Sequence, residues 1–185
     1  MNKLIISVIG EDRPGILAAV SDLLYTCGCN IEDVSQTILQ SVFGAVFIVS
    51  MNREMDSKRL QAALTEGISH LQLDIFVKPH EFTARPSVLS QPFVVTTFGP
   101  DKPGLVRGIS SIFARHDVNV TNLKAVFKGG DDPGNNMMIF EVDVPVQTNL
   151  PELRRQLEQA ARQLTLEINI QHRKIFETMN RISTG

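Results

Sequence analysis

The sequence predicts an α+β protein made of two ferredoxin-like βαββαβ units, each an antiparallel sheet with both helices on one face. Three observations predict it. A short stretch occurs twice, as Gly10-Glu11-Asp12-Arg13-Pro14-Gly15 and as Gly99-Pro100-Asp101-Lys102-Pro103-Gly104, on the skeleton Gly-x-Asp-(basic)-Pro-Gly-(Ile/Leu). From Gly15 to Gly104 the offset is 89 residues, and it holds without a gap to Asn30 and Asn119; a match of that length marks a tandem duplication. Around each copy the apolar spacing gives strand, helix, strand, strand, helix, strand, which is the split βαβ order.

The first unit opens with a buried strand over 3–9, rich in Leu4, Ile5, Ile6, Val8 and Ile9 and followed at once by turn formers. A helix from about Gly15 to Cys27 comes next, with Ile16, Leu17, Val20, Leu23, Leu24 and Cys27 on one face. The second copy places Leu105, Val106, Ile109, Ile112, Phe113 and His116 at the same offsets. Gly28 is suited to end the first helix in a left-handed conformation, and Asp117 takes its place, less well, in the second.

Strands over 30–39 and 43–51 flank a Gln40-Ser41 turn. Their counterparts, 119–127 and 137–144, are joined by a longer loop over 128–136 that is rich in Gly, Asp and Asn. The second helix of the first unit is capped by Asp56 or Ser57 and buries Leu60, Leu64, Ile68 and Leu71. In the second unit Asn149 caps, Pro151 fits the first turn, and Glu152 completes a capping box ahead of Leu153, Leu157, Ala161 and Leu164. Closing strands fall at 73–77 and 166–170. The division is therefore a first unit over 1–78, a Pro-containing linker over 79–91, a second unit over 92–171 and a tail over 172–185. In the tail, Ile175, Met179 and Ile182 stand at the spacing of a short docking helix.

With helices on one sheet face only, the other face needs a partner, from the second unit or another subunit, and a homo-oligomer is expected. The 185 residues carry a net charge of −2 and a pI near 6.1, which offers no general attraction to nucleic acid or anionic membrane. No apolar stretch reaches the length of a membrane span, and no signal peptide is visible at Met1 to Val8. A cytoplasmic protein without cofactor or metal is expected.

The repeated turn carries the chemistry. It places a helix N-terminus at the end of a strand, where free backbone N–H groups and positive potential suit a small anion such as a carboxylate. Gly15 lets a ligand approach the backbone, and Asp12 is placed either to cap the helix or to hold an ammonium group. Together these are what a free amino acid requires, and Asn30 and Asn119 add an amide at the next strand. The competing reading is plain helix capping, which is worth about 0.5–2 kcal/mol and needs no ligand.

The skeleton Gly-x-Asp-(Arg/Lys)-Pro-Gly-(Ile/Leu), the Val20-Ser21 helix and Gly28-Cys29-Asn30-Ile31-Glu32-Asp33 resemble the ACT domain, in both units and so over nearly the whole chain. Two such units without a catalytic domain are most similar to the glycine-cleavage-system transcriptional repressor family. The resemblance implies amino-acid binding at Asp12, Arg13, Pro14, Gly15, Ile16 and Leu17 with Asn30 and Ile31. In the second copy it implies Asp101, Lys102, Pro103, Gly104, Leu105 and Val106 with Asn119 and Val120. It also implies a small amino acid, glycine in the first instance, as ligand and a DNA-binding transcriptional activator protein as partner, without direct contact to nucleic acid. The alternative it leaves is a regulatory or oligomerisation module of a metabolic enzyme such as a formyltetrahydrofolate deformylase, whose N-terminal unit is similar to the first copy.

Other chemistries are weaker. Cys27 and Cys29 lack a second pair, and in the repeat they align with His116 and Val118, so metal binding is not expected. No nucleophile–base pair, Walker sequence or dinucleotide fingerprint appears, and catalysis by this chain is not expected. Phe43-Gly44-Ala45-Val46-Phe47-Ile48 echoes an RNA-recognition signature, but it lacks the preceding basic residue and its second copy departs from the pattern.

Overall fold

A computed structural model describes residues 2–51, 57–81, 88–126 and 136–176. It divides into two compact units, residues 1–85 and 86–185.

The first unit runs β1 (Asn2–Glu11), α1 (Ile16–Thr26), β2 (Cys29–Leu39), β3 (Val42–Met51), α2 (Ser57–Gly67) and β4 (Asp74–Pro79), with a 3-10 turn at Ser69–Leu71 before β4. The second runs β5 (Ser90–Gly99), α3 (Leu105–Arg115), β6 (Asn119–Val126), β7 (Asn136–Pro145), α4 (Leu150–Leu164) and β8 (Glu167–His172). The strand orders are β2-β3-β1-β4 and β6-β7-β5-β8, antiparallel throughout. The predicted α+β class and both βαββαβ units are therefore present. Strand structure enters the stretch read as linker from both ends, since β4 reaches Pro79 and β5 begins at Ser90.

Alternation along the central strands sets the core. Leu4, Ile6 and Val8 of β1 and Phe43, Ala45, Phe47 and Val49 of β3 point to the helix side, where Ile16, Val20 and Leu24 of α1 and Leu60 and Leu64 of α2 meet them. In the second unit Phe93 and Val95, with Met138, Phe140 and Val142, face Leu105, Ile109, Ile112 and Phe113 of α3 and Leu153 and Leu157 of α4. The helix faces agree with the sequence reading except at one aligned pair. Leu17 is 43% and Val106 36% exposed, both in the first turn behind the repeated glycine.

Even irregularities are duplicated. A register shift falls between Ile31 and Asp33 in β2 and between Val120 and Asn122 in β6, the same place in the repeat. Gly28 ends α1 at φ 76° and Asp117 follows α3 at φ 54°, so both take the left-handed conformation that helix termination asks for. Asn149 accepts from Glu152 N–H at 3.2 Å and starts α4 as predicted. The Glu152 carboxylate is engaged along the helix, by Arg155 and Gln156. Asp56 and the 127–135 loop lie outside the described residues, as does the tail beyond residue 176 with Met179 and Ile182.

Candidate functional site

Each unit presents one end at which β1 or β5 turns into the first helix. Gly15 sits at φ 94°, ψ −9° and Gly104 at φ 90°, ψ 5°, both left-handed and both in the N-cap position. The helices start from these glycines, since Ala19 N–H donates to Gly15 O and Gly108 N–H to Gly104 O. A Cβ added at either glycine would meet nothing within 4 Å, so the backbone angle requires glycine there and crowding does not.

This removes one of the two readings that the sequence left open for Asp12. Asp12 is not the helix cap, and neither helix receives a side-chain cap or an acidic residue in its first turn. The Asp12 N–H instead donates to Ser41 O at 2.7 Å and ties the turn to the β2–β3 hairpin. Its side chain, like those of Pro14, Asp101 and Pro103, is exposed. The first-turn amides of α1 and α3 thus keep their positive potential without a carboxylate from their own side chains.

The remaining candidates separate into groups. Ile16 and Leu105 are core residues, 1% and 2% exposed, so at the turn they offer backbone N–H only. Leu17 and Val106 add exposed apolar surface beside it. Asn30, Ile31, Asn119 and Val120 begin the edge strands at the far end of the sheet. Asn30 is in register with Ser50, which pairs with Lys3, while Glu11 beside the turn pairs with Val42. Eight strand residues separate these ends, on the order of 25 Å. One unit by itself therefore does not bring the asparagines to the turn. Lys3 forms an ion pair with Glu32 at that far end, and this contact, followed by a hydrogen bond from Ser50, holds the Glu32 carboxyl below the usual carboxylate range.

The two turns differ in charge. Arg13 pairs with Glu11 at 3.0 Å, so the first turn neutralises its own cation. Pro100 stands where Glu11 would align, and Lys102 donates to Thr165 Oγ1, a neutral acceptor, at 3.1 Å.

They also differ beneath the surface. Thr97 and Asn136 are each 2% exposed, and Thr97 Oγ1 and both side-chain polar atoms of Asn136 have no hydrogen-bond partner among the described residues. Asn136 is in register with Gly99, the residue before the turn, and Thr97 with Met138. The repeat puts Val8 and Phe43 at the equivalent places, both apolar and buried. Neither Thr97 nor Asn136 stood among the sequence candidates, because Asn136 read as the end of a loop and Thr97 as the middle of an apolar strand. Aligning the two copies strand by strand is the signal that finds them.

A cavity of about 440 Å³ is lined by Thr96, Phe98, Met137, Ile139, Asn169 and Phe176 of the second unit, and Thr97 also contributes to its lining. Next to it Arg173 reaches Glu141 at 3.2 Å, and Asn122 donates to the same carboxylate.

The rival chemistries fare less well. Phe43 and Phe47 are 2% and 0% exposed on the helix face, so they form no base-stacking platform. Burial, and secondarily the Cys27 thiol, pushes the Cys29 thiol up to about 11, away from the thiolate a metal or redox site requires. No cluster of three or more His, Cys, Asp or Glu able to hold a metal occurs among the described residues. None of their helices is long and apolar enough to cross a membrane.

Comparison with known proteins agrees with the duplicated fold. The ACT-domain family model matches residues 2–78 and 91–171. The chain is 27% identical over 171 residues to the glycine cleavage system transcriptional repressor of Escherichia coli K12, covering 91% of this chain and 86% of that one. A UPF0237 protein of Methanopyrus kandleri is 37% identical over 82 residues, 44% of this chain and 90% of its own length. Among solved structures, a protein of unknown function from Galdieria sulphuraria superposes with a TM-score of 0.75 at 21% identity, covering 92% of this chain and 98% of that one. A putative glycine cleavage system transcriptional repressor superposes at 0.69 and 20% identity, covering 91% and 95%. The two structures share the whole tandem fold.

Proposed function

The chain belongs to the ACT-domain family, and from that premise we propose that it is an amino-acid-sensing regulator, responsive to glycine, that acts through a protein partner. The observation that carries the reading is the duplicated helix start, with a left-handed glycine at the N-cap and no side-chain cap. By contrast α4 of the same chain is capped by Asn149 and carries Glu152 in its first turn. An amino-acid carboxylate supplies at α1 or α3 the negative charge that Glu152 supplies at α4.

The name of the Escherichia coli relative, similar along 91% of this chain, supports regulation of transcription and the choice of glycine. In this reading the chain catalyses nothing, works in the cytoplasm as a homo-oligomer and makes no contact with DNA. Its partner is a DNA-binding activator whose action it blocks. Ligand favours one packing of units or subunits and the partner favours another. Coupling of this kind is typically about 1–3 kcal/mol, or roughly a 5- to 150-fold change in partner affinity.

Thermal melting of the purified protein against each of the twenty amino acids tests this. A ligand at about 100 times its Kd stabilises by about 2.7 kcal/mol, a readable shift. Glycine is expected to give the largest shift. A shift with a different amino acid alone keeps the sensor and removes glycine, and flat curves throughout remove the sensor.

A further inference from the structure

We infer that the second unit, not the first, holds the amino acid, and that Thr97 and Asn136 receive its polar head beneath the Gly104 turn. The inference rests on the amino-acid reading above and adds the location and two contact residues.

Three differences between the copies point the same way. The first is the buried polar pair. Leaving a hydroxyl and an amide desolvated without partners is costly, and native interiors do so rarely. Here two such side chains lie close together on the helix face of one sheet end, where Val8 and Phe43 fill the other copy. The second is position. Asn136 pairs with Gly99, so the polar pair sits at the strand end that leads directly into the uncapped N-terminus of α3, an 11-residue helix.

The third is charge. Glu11 occupies Arg13 in the first turn, where Glu11, Asp12 and Arg13 sum to one negative charge, whereas Lys102 rests on a neutral hydroxyl and balances Asp101, so the second turn opposes a carboxylate less.

The chemistry is complementary to a zwitterion. The α3 amides and Lys102 favour a carboxylate, and Asn136 Nδ2 adds a donor to it. Asn136 Oδ1 and Thr97 Oγ1 are acceptors for an α-ammonium group, which has three protons to give. Neither side chain carries charge, so the empty site avoids the far larger cost of a buried ion.

Calorimetric titration of the full chain with glycine, and with any other amino acid that shifts its melting, tests the inference. It is expected to give one ligand per chain. Thr97→Val and Asn136→Leu are expected to weaken binding about 10- to 100-fold each, while the ligand-free variants melt no lower than wild type, because a buried unpaired group has been removed. Should Asn136→Leu fold poorly, the wild-type protein still reports. The side-chain amide resonance of Asn136 is expected to move on titration, and the backbone resonances of Val8 and Gly15 to stay in place.

Binding that survives both substitutions, or two equal sites per chain, would place the ligand elsewhere and leave an ordered water with the polar pair. Binding by no amino acid in the wild type overturns the sensor reading itself, and this inference with it.

Discussion

The two units share strand order, pairing register, a duplicated bulge and a left-handed glycine at the same turn, and they differ in what lies under that turn. In the first, Val8 and Phe43 close the core and Glu11 neutralises Arg13. In the second, Thr97 and Asn136 replace the apolar pair and Pro100 removes the acid. A duplicated module permits this division. One copy keeps the full apolar interior, while the other gives up some packing free energy for two uncharged polar side chains. The backbone is fixed by register and turn geometry in both, so the difference is carried by a handful of side chains.

The two cores also differ at one aromatic contact, and that difference gives the largest expected effect. Phe113 of α3 meets Phe140 of β7 edge-on at 5.5 Å, whereas the aligned residues of the first unit are Leu24 and Phe47. Phe140→Ala is expected to cost about 3–5 kcal/mol as a buried large-to-small change. Phe113→Leu, which installs the residue of the first unit, is expected to cost about 1–2 kcal/mol through loss of the edge contact and some volume. Urea titrations give the two totals, and amide exchange read separately in each unit shows which one loosens. If Phe140→Ala costs no more than Phe113→Leu, the second core is not organised around that pair.

A smaller effect with opposite signs in the two units is expected at the helix ends. Gly28 and Asp117 hold the same left-handed position, at φ 76° and φ 54°. A residue with a Cβ pays for that conformation, Asp less than most. Asp117→Gly is therefore expected to stabilise the protein by about 0.5–1 kcal/mol and Gly28→Asp to destabilise it by a similar amount. Melting temperatures of the two variants decide it. Shifts of the same sign would mean that the termini are held by something other than the local backbone preference.

Much of this was legible in the sequence, for physical reasons. Ile16, Val20 and Leu24 repeat at helical spacing, and Leu4, Ile6 and Val8 alternate, because a half-buried helix and strand leave no other pattern. The duplication then made each element a prediction for its counterpart. What was not legible depended on pairing. That Asn30 and the Asp12 turn lie at opposite ends of the sheet follows from β2 adding beyond β3, which periodicity does not record. Whether Asp12 caps the helix stayed open in the sequence because Asp followed by Pro signals a helix start, whereas the left-handed Gly15 places the first helical residue further on. Asn136 looked like loop until its register with Gly99 put it inside the protein.

The last contrast is between helix starts, and it predicts the smallest effect. At α4 the Glu152 carboxylate accepts from Arg155 at 2.8 and 2.7 Å and from Gln156 at 2.7 Å. The Arg155 hydrogen bonds first and Gln156 second bring its pKa from 4.5 down to about 2. A carboxyl lowered on folding stabilises the folded state above its unfolded pKa and loses that contribution as pH falls through its folded one. The Glu152 contribution is thus complete above about pH 4.5 and gone near about pH 2.

Both partners are substantially exposed, so solvent and salt screen the interaction and the effect is small. Glu152→Gln is expected to flatten the acid limb of melting temperature against pH over that interval. Carbon-detected titration of the Glu152 carboxyl is expected to give a midpoint near about 2. A midpoint near the ordinary value would mean that Arg155 does not hold it in solution. Asn149 would still cap α4, and its contrast with the uncapped starts of α1 and α3 would rest on that cap and on a Glu152 charge released from Arg155.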